Sequence, residues 1–246
     1  MRPLIAAASA LVLLQALPAV AQPAPPRQER VAFAKGASSA TVKGQLKGGA
    51  DVDYLVHAAA GQTISVSLKV SNRANYFNLL PPGSADVAMH VGQDGGPYTG
   101  MLPADGDYTV RVYLMRSAAR RSEVSNYELT VAVTGKPLAP IPASQDAVLP
   151  GTSFHATGPV TCVAMPYGDA KPQACEGFVT RRGHDGTATV EIRSQGTTRR
   201  ILFVKGKPVA SDSSQPMAVS RKGDVTVVKF ESGEFYEIID AMIFGG

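Results

Sequence analysis

The chain has 246 residues, a formal net charge of +4 and only 18% charged residues. So mild a balance gives no ground for a nucleic-acid surface, and the basic residues matter only where they cluster. With 24 glycines, 18 prolines and no tryptophan, the composition suits many short strands joined by turns and argues against long packed helices.

Residues 1–21 read as a secretory signal peptide: Arg2 supplies the positive start, "LIAAASALVLLQALPAV" the apolar stretch, and Ala19-Val20-Ala21 the small-x-small cleavage site. Gln15 and Pro18 interrupt the apolar run and no stop-transfer pattern follows, which argues against a membrane anchor. No lipobox cysteine follows it, and no other stretch approaches the roughly 20 apolar residues of a spanning helix. The mature chain is expected to start near Gln22 and to be periplasmic or secreted. "QPAPPRQER", Gln22 to Arg30, is polar and proline-rich and reads as a mobile terminus.

From residue 28 to 135 the sequence reads as strands throughout: "RVAFAKG", "SATVKGQLKG", "DVDYLVHAA", "AGQTISVSLKV", "ANYFNLLPPG", "ADVAMHVG", "GGPYTGMLPADGDYTVRVYLM" and "SNYELTVAV". Ile64, Val66, Leu68 and Val70 share one face. Tyr108, Val110, Val112 and Leu114 alternate with Thr109, Arg111 and Tyr113, the period-two signature of a half-buried strand. Turn chemistry recurs at short intervals, in "GADVDY", "AAGQT", "PPGS", "DGG" and "ADGDY". Seven or eight strands in about 105 residues predict a β-sandwich.

Pro137, Pro140, Pro142 and Pro150 mark residues 136–150 as an extended linker. Residues 151–246 return to strands, with hairpin glycines in "RGHDG", "SQG", "KGK", "RKGD" and "ESGE". An antiparallel meander or small barrel is expected there, with "DAMIFG" as a last strand or a short helical turn. The fold class is all-β, in two domains. Cys162 and Cys175, alone in an exported chain, are expected to bond to each other, a bridge worth roughly 3 kcal/mol by the chain-entropy account. Without nearby histidines they cannot fill a zinc shell.

Sequence motifs for catalysis are missing. There is no G-x-S-x-G elbow, phosphate loop or H-E-x-x-H helix. His57, His90, His155 and His184 are scattered; His57 reads as a structural strand residue and His184 as an exposed turn residue. Asp51 and Asp53 in "GADVDY" lack the spacing of a calcium loop and read as a turn. No metal or cofactor is called for. The feature that stands out is "YLMRSAARRSEVSNY", Tyr113 to Tyr127, with Arg116, Arg120 and Arg121 between two strands that are expected to pair. In one reading these arginines solvate a hairpin and pair with Glu123 and Asp105; in another they grip an anionic partner.

"ADVDYLVHAAAGQTISVSL" resembles the D-x-D-x-Y and A-G-Q pattern of the bacterial pre-peptidase C-terminal domain, a β-sandwich appended to secreted proteins. A narrower resemblance, to periplasmic inhibitors of goose-type lysozyme, rests on Tyr76-Phe77-Asn78, on "DGDY", on Val112, Tyr113, Met115 and Arg116, and on Ala119-Arg120-Arg121. It covers roughly Ala50 to Val133 and is most specific from Asp105 to Tyr127; the second domain is a departure, because those inhibitors are single domains. The resemblance implies a non-enzymatic protein that binds a lysozyme-like glycan hydrolase through Arg116, Arg120 and Arg121, with Tyr76, Asn78 and Tyr113 beside them. The alternatives are a module that binds peptidoglycan or another anionic envelope glycan, and an enzyme with its site in the second domain. Mass spectrometry of the exported protein is expected to show the loss of residues 1–21 and of two hydrogens; free thiols would refute the bridge.

Overall fold

The computed structural model describes residues 25–164 and 170–245. The signal-peptide reading lies outside them, as do Pro166 and Gly168 between the cysteines. The fold is all-β, and among the described residues no helix exceeds five residues.

The first half holds nine strands: β1 (Arg27–Arg30), β2 (Ser39–Lys47), β3 (Val52–Ala58), β4 (Thr63–Val70), β5 (Asn75–Leu80), β6 (His90–Val91), β7 (Tyr98–Met101), β8 (Gly106–Leu114) and β9 (Val124–Thr134). Two short helices interrupt them, α1 (Gly92–Gly95) and α2 (Arg116–Arg120). One sheet has the order β1-β3-β8-β5-β6 and the other β2-β9-β4-β7. The longer strands turn alternate residues inward, so Val56, Leu79, Tyr108 and Val110 of one sheet meet Ile64, Val66, Leu129 and Val131 of the other in one core. Tyr54 and Tyr127 join the sheets through their buried hydroxyls, 2.7 Å apart. The Tyr127 ring lies over Gly44, its partner across β2 and β9, where any Cβ would collide with it.

Two expectations are corrected. Residues 27–30 are not a loose terminus but an edge strand parallel to β3, followed by the buried Val31. "RQER" pairs through its backbone while its side chains face mostly solvent, so no alternation marks it. Arg30 donates two hydrogen bonds to Asp107, at 3.0 and 2.7 Å. Those bonds above all, with His57 adding to them, bring the Asp107 carboxyl down to about 2. The second correction concerns β8 and β9. They do not pair: β8 lies between β3 and β5, and β9 between β2 and β4. The arginine-bearing segment is therefore a crossover between sheets.

The second half holds β10 (Ala156–Val163), β11 (Gln173–Arg181), β12 (Ala188–Ser194), β13 (Thr197–Val204), β14 (Lys207–Ser211), β15 (Ala218–Lys222), β16 (Val225–Lys229) and β17 (Phe235–Ile239), then α3 (Asp240–Phe244). They form one antiparallel, nearly closed sheet, β14-β13-β12-β11-β10-β17-β16-β15. It is two meanders joined where β10 meets β17. The Cys162–Cys175 disulfide ties β10 to β11. "DAMIFG" takes the helical alternative, and Met242 of α3 reaches Gly177, where a Cβ would crowd its terminal methyl.

Residues 136–150 carry no strand or helix, as four prolines require, yet they are fastened to both halves of the chain. The Leu138 backbone N–H donates to Ala60 and that of Ile141 to Arg181. Buried His155 accepts the Arg181 N–H at Nδ1, so Nε2 carries the proton that it donates to the Ile141 carbonyl. The sandwich rests on the outer face of β12 and β13. Ala60 packs on Leu202 and Ala210, and Thr189 Oγ1 donates to the Pro103 carbonyl. Arg182, with a side chain only 2% exposed, pairs with Asp105 at 2.9 Å and donates to the Leu138 carbonyl.

Arg182 also donates from Nε to Thr189 Oγ1 at 2.9 Å, so removing it takes a donor from the part-buried Leu138 carbonyl and from the Thr189 oxygen, while the half-open Asp105 still reaches water. Arg182→Ala is expected to destabilise the full chain by about 2 kcal/mol in urea unfolding. The exposed Arg116→Ala should stay within about 0.5 kcal/mol of the parent. Equal midpoints for the two variants would mean that this contact does not hold the halves together.

Candidate functional site

The crossover leaves β8 at Leu114 and enters β9 at Val124. Ala118 is fully buried against the end of the sandwich core, so the short α2 is nailed down by its small face and turns its larger side chains outward. The turn closes with Ser122 at φ +55° and with the Arg121, Ser122 and Glu123 amides donating to the Ala118 and Ala119 carbonyls. Arg116, Arg120 and Arg121 are all exposed.

Their electrostatic states differ. Arg121 pairs with Glu123 at 2.6 Å. Arg116 and Arg120 have no carboxylate within ion-pairing distance among the described residues. Asp105 serves neither of them; it lies at the other end of β8, in the grip of Arg182. Glu123 is itself held by a second loop, because Asn72 Nδ2 donates to Glu123 Oε2 at 2.7 Å. That bond first, then Arg121, keeps the Glu123 carboxyl below its ordinary range. Asn72 also accepts the Ala74 amide, and the Met115 amide donates to the Ala74 carbonyl. Residues 71–75 and 115–124 are thereby one unit, and Arg73, exposed and also without a carboxylate among the described residues, joins the basic rim.

Next to this rim lies the outer face of β5 and β8. Tyr76 stands opposite Tyr113 in register, with ring centroids 6.5 Å apart. Asn78 Oδ1 accepts from the Tyr113 hydroxyl at 3.2 Å and from the Gly92 amide at 3.3 Å, while Gln93 donates to the Tyr113 hydroxyl at 3.0 Å. The Tyr113 phenol is therefore held in place rather than swinging. Arg111, one pair along, is spent internally on the buried Asp53 through two bonds of 2.7 and 2.9 Å. Beside Tyr76 a groove of about 340 Å³, lined by Leu68, Val70, Phe77 and Arg73, opens between the sheets.

The six residues singled out in the sequence thus fall on one end of one sandwich, three on the crossover and three on the adjoining sheet face. Sequence reading missed Asn72, Arg73 and Gln93. Arg73 sits three residues before Tyr76-Phe77-Asn78, but nothing local says that its turn abuts a crossover some 40 residues later. Of the histidines, His184 is in an exposed turn, and His57 is exposed and bonded to Asp107. Among the described residues no three metal-ligating side chains gather.

No protein-family model matches the sequence. The inhibitor of g-type lysozyme from Escherichia coli (strain K12) is 33% identical over 127 residues, which span 50% of this chain and 92% of that protein. The chain belongs to the family of g-type lysozyme inhibitors. Among solved structures, the Aeromonas hydrophila periplasmic inhibitor of g-type lysozyme is 36% identical, with a TM-score of 0.42, over 44% of this chain and 96% of that one. The Salmonella Typhimurium inhibitor is 30% identical, with a TM-score of 0.36, over 45% and 100%. The pre-peptidase C-terminal domain of a Bacillus anthracis collagenase is 20% identical, with a TM-score of 0.35, over 45% and 99%.

Inhibitor-family membership thus rests on about half of this chain, while nearly all of the relative is covered. In the inhibitor-like sandwich, Asn72→Ala removes the tie between the two loops and should cost about 1 kcal/mol of stability. Amide hydrogen exchange at residues 116–123 is expected to rise, with β3 and β4 unchanged. Unaltered exchange in the crossover would show that Ala118 alone fixes it.

Proposed function

We propose that this protein is an exported inhibitor of g-type lysozyme and that the arginine crossover is its contact surface. Family membership supplies the partner class, a glycan hydrolase. The observation that carries the surface is the crossover itself: a pinned segment presenting Arg116 and Arg120 with no carboxylate among the described residues to occupy them. A guanidinium offers a planar fork that pairs with carboxylates through two bonds, and a cleft that cleaves glycans holds catalytic carboxylates. Tyr76 and Tyr113, with Asn78 between them, add stiff aromatic area of the kind that anchors interfaces. Since the loop is already ordered, little conformational entropy is lost on docking. In this reading the protein acts by occupying the hydrolase, not by chemistry of its own. Residues 28–135 carry the activity, residues 136–150 join the halves, and residues 151–246 serve another purpose.

The three arginines are not equivalent. Arg121 must give up Glu123 before it can serve a partner, so it contributes least. Arg116→Ala or Arg120→Ala, where the lost contact is a buried charge pair, should weaken inhibition of a goose-type enzyme by roughly 2–5 kcal/mol. An arginine at the rim should instead show a slower on-rate and a shallower salt dependence. Arg121→Ala should change the inhibition constant by less than about tenfold. The measurement is the inhibition constant of each variant at low and high salt, with chicken- and invertebrate-type lysozymes as comparison. Three variants equal to the parent, or a parent that inhibits no goose-type enzyme, would sink the proposal. Binding to insoluble peptidoglycan would then put the anionic-glycan module in its place.

A further inference from the structure

At the far end of β5 from the arginine crossover, a cavity of about 530 Å³ lies between the sandwich and the second sheet. One wall is residues 81–87. They are braced by Arg111 Nη1, which donates to the Ala85 carbonyl, and by the Ser84 hydroxyl, which bridges both the N–H and the carbonyl of Val87. The other wall is the start of β13, Asp212 after β14, and Glu234 and Tyr236 around β17.

The second wall holds an ion cluster. Arg199 bonds Asp212 Oδ1 and Glu234 Oε2, both at 3.0 Å. Fully buried Asp212 also accepts the backbone N–H of Arg200 at 2.9 Å. Arg200 spends Nε on Glu191 at 2.8 Å and reaches Asp212 only weakly, at 3.4 Å. No hydrogen bond within the described residues uses its Nη2. Buried ion pairs are weak devices for stability, since well-packed apolar residues do as well or better. What this cluster provides is a set of donors and acceptors fixed in position on a cavity wall.

Its charge decides what it suits. Arg199 and Arg200 cancel Asp212 and Glu234, and the remaining charged group lining the cavity is the exposed Asp86. Free anions meet a slightly negative lining, and a free cation would have to displace guanidiniums that already hold the carboxylates. A neutral ligand with many hydroxyls meets neither penalty. Arg200 Nη2 can donate, Glu234 can accept, the Thr198 hydroxyl can do either, and Pro81 and Pro82 offer aliphatic faces. The volume lies in the usual range of small-molecule sites. We infer that this inter-sheet cavity binds a short neutral saccharide. The site is remote from the arginine crossover and does not depend on the inhibitor reading.

The test is a titration of the full exported chain, followed by amide chemical shifts, with cellobiose, maltose and N,N′-diacetylchitobiose as neutral probes. Glucuronate and inorganic phosphate serve as charged ones. At least one neutral disaccharide should shift the amides of residues 84–86 and 197–200, saturating at or below about 1 mM. Thr198→Trp places an indole at an exposed cavity position with little risk to folding and should abolish those shifts. Arg200→Gln should weaken binding about tenfold, checked against an unchanged circular dichroism spectrum. No neutral probe binding at 10-fold higher concentration, or equal binding by Thr198→Trp, would overturn the inference. Glucuronate or phosphate as the better ligand of these residues would overturn it too.

Discussion

Between Leu114 and Val124 the chain has to pass from one sheet of the sandwich to the other, and that crossing governs what this end of the molecule presents. A hairpin tip stands away from its strands and can flex. A crossover is pulled taut by two different sheets and here is pinned at the fully buried Ala118. The exposed guanidiniums therefore project from a short fixed turn. Glu123 tightens it further, standing between Asn72 of one loop and Arg121 of the other. One carboxylate sets the loop geometry and also withdraws one of the three arginines from free pairing.

Strand positions were largely legible because alternation is local: Tyr108, Val110 and Val112 turn inward, and Tyr113 outward, as the pattern requires. Strand partners were not. "YLM" and "SNY" look like two arms of one hairpin, and only the sandwich topology sends them to separate sheets. β1 escaped because an edge strand of Arg, Gln and Glu has no buried face to betray it. Arg182 escaped for the opposite reason. In "TRRGHDG" it reads as hairpin decoration, yet a whole sandwich docks over it. The six residues chosen for the binding surface were found through family-like words, while Arg73 and Asn72 reach the same rim through contacts between distant parts of the chain.

The two halves meet through polar groups as much as apolar ones. Arg182, Asp105 and Thr189 supply directed bonds, and a small patch of Ala60, Leu202, Ala210 and Leu138 supplies burial. Directed bonds fix orientation more sharply than area does. A fixed orientation is what keeps a cavity lined by residues 81–87 and by β13 at constant shape. The appended half thus gives the inhibitor fold something the sandwich alone lacks, a second concave surface at the end opposite the arginines.

Hydrogen–deuterium exchange on the complex with a goose-type lysozyme tests the central claim most directly, because it maps contact without altering a residue. The account requires added protection at residues 72–76 and 113–123, with residues 197–212 unchanged. Protection confined to residues 151–246, or none in the crossover at saturating enzyme, would contradict it.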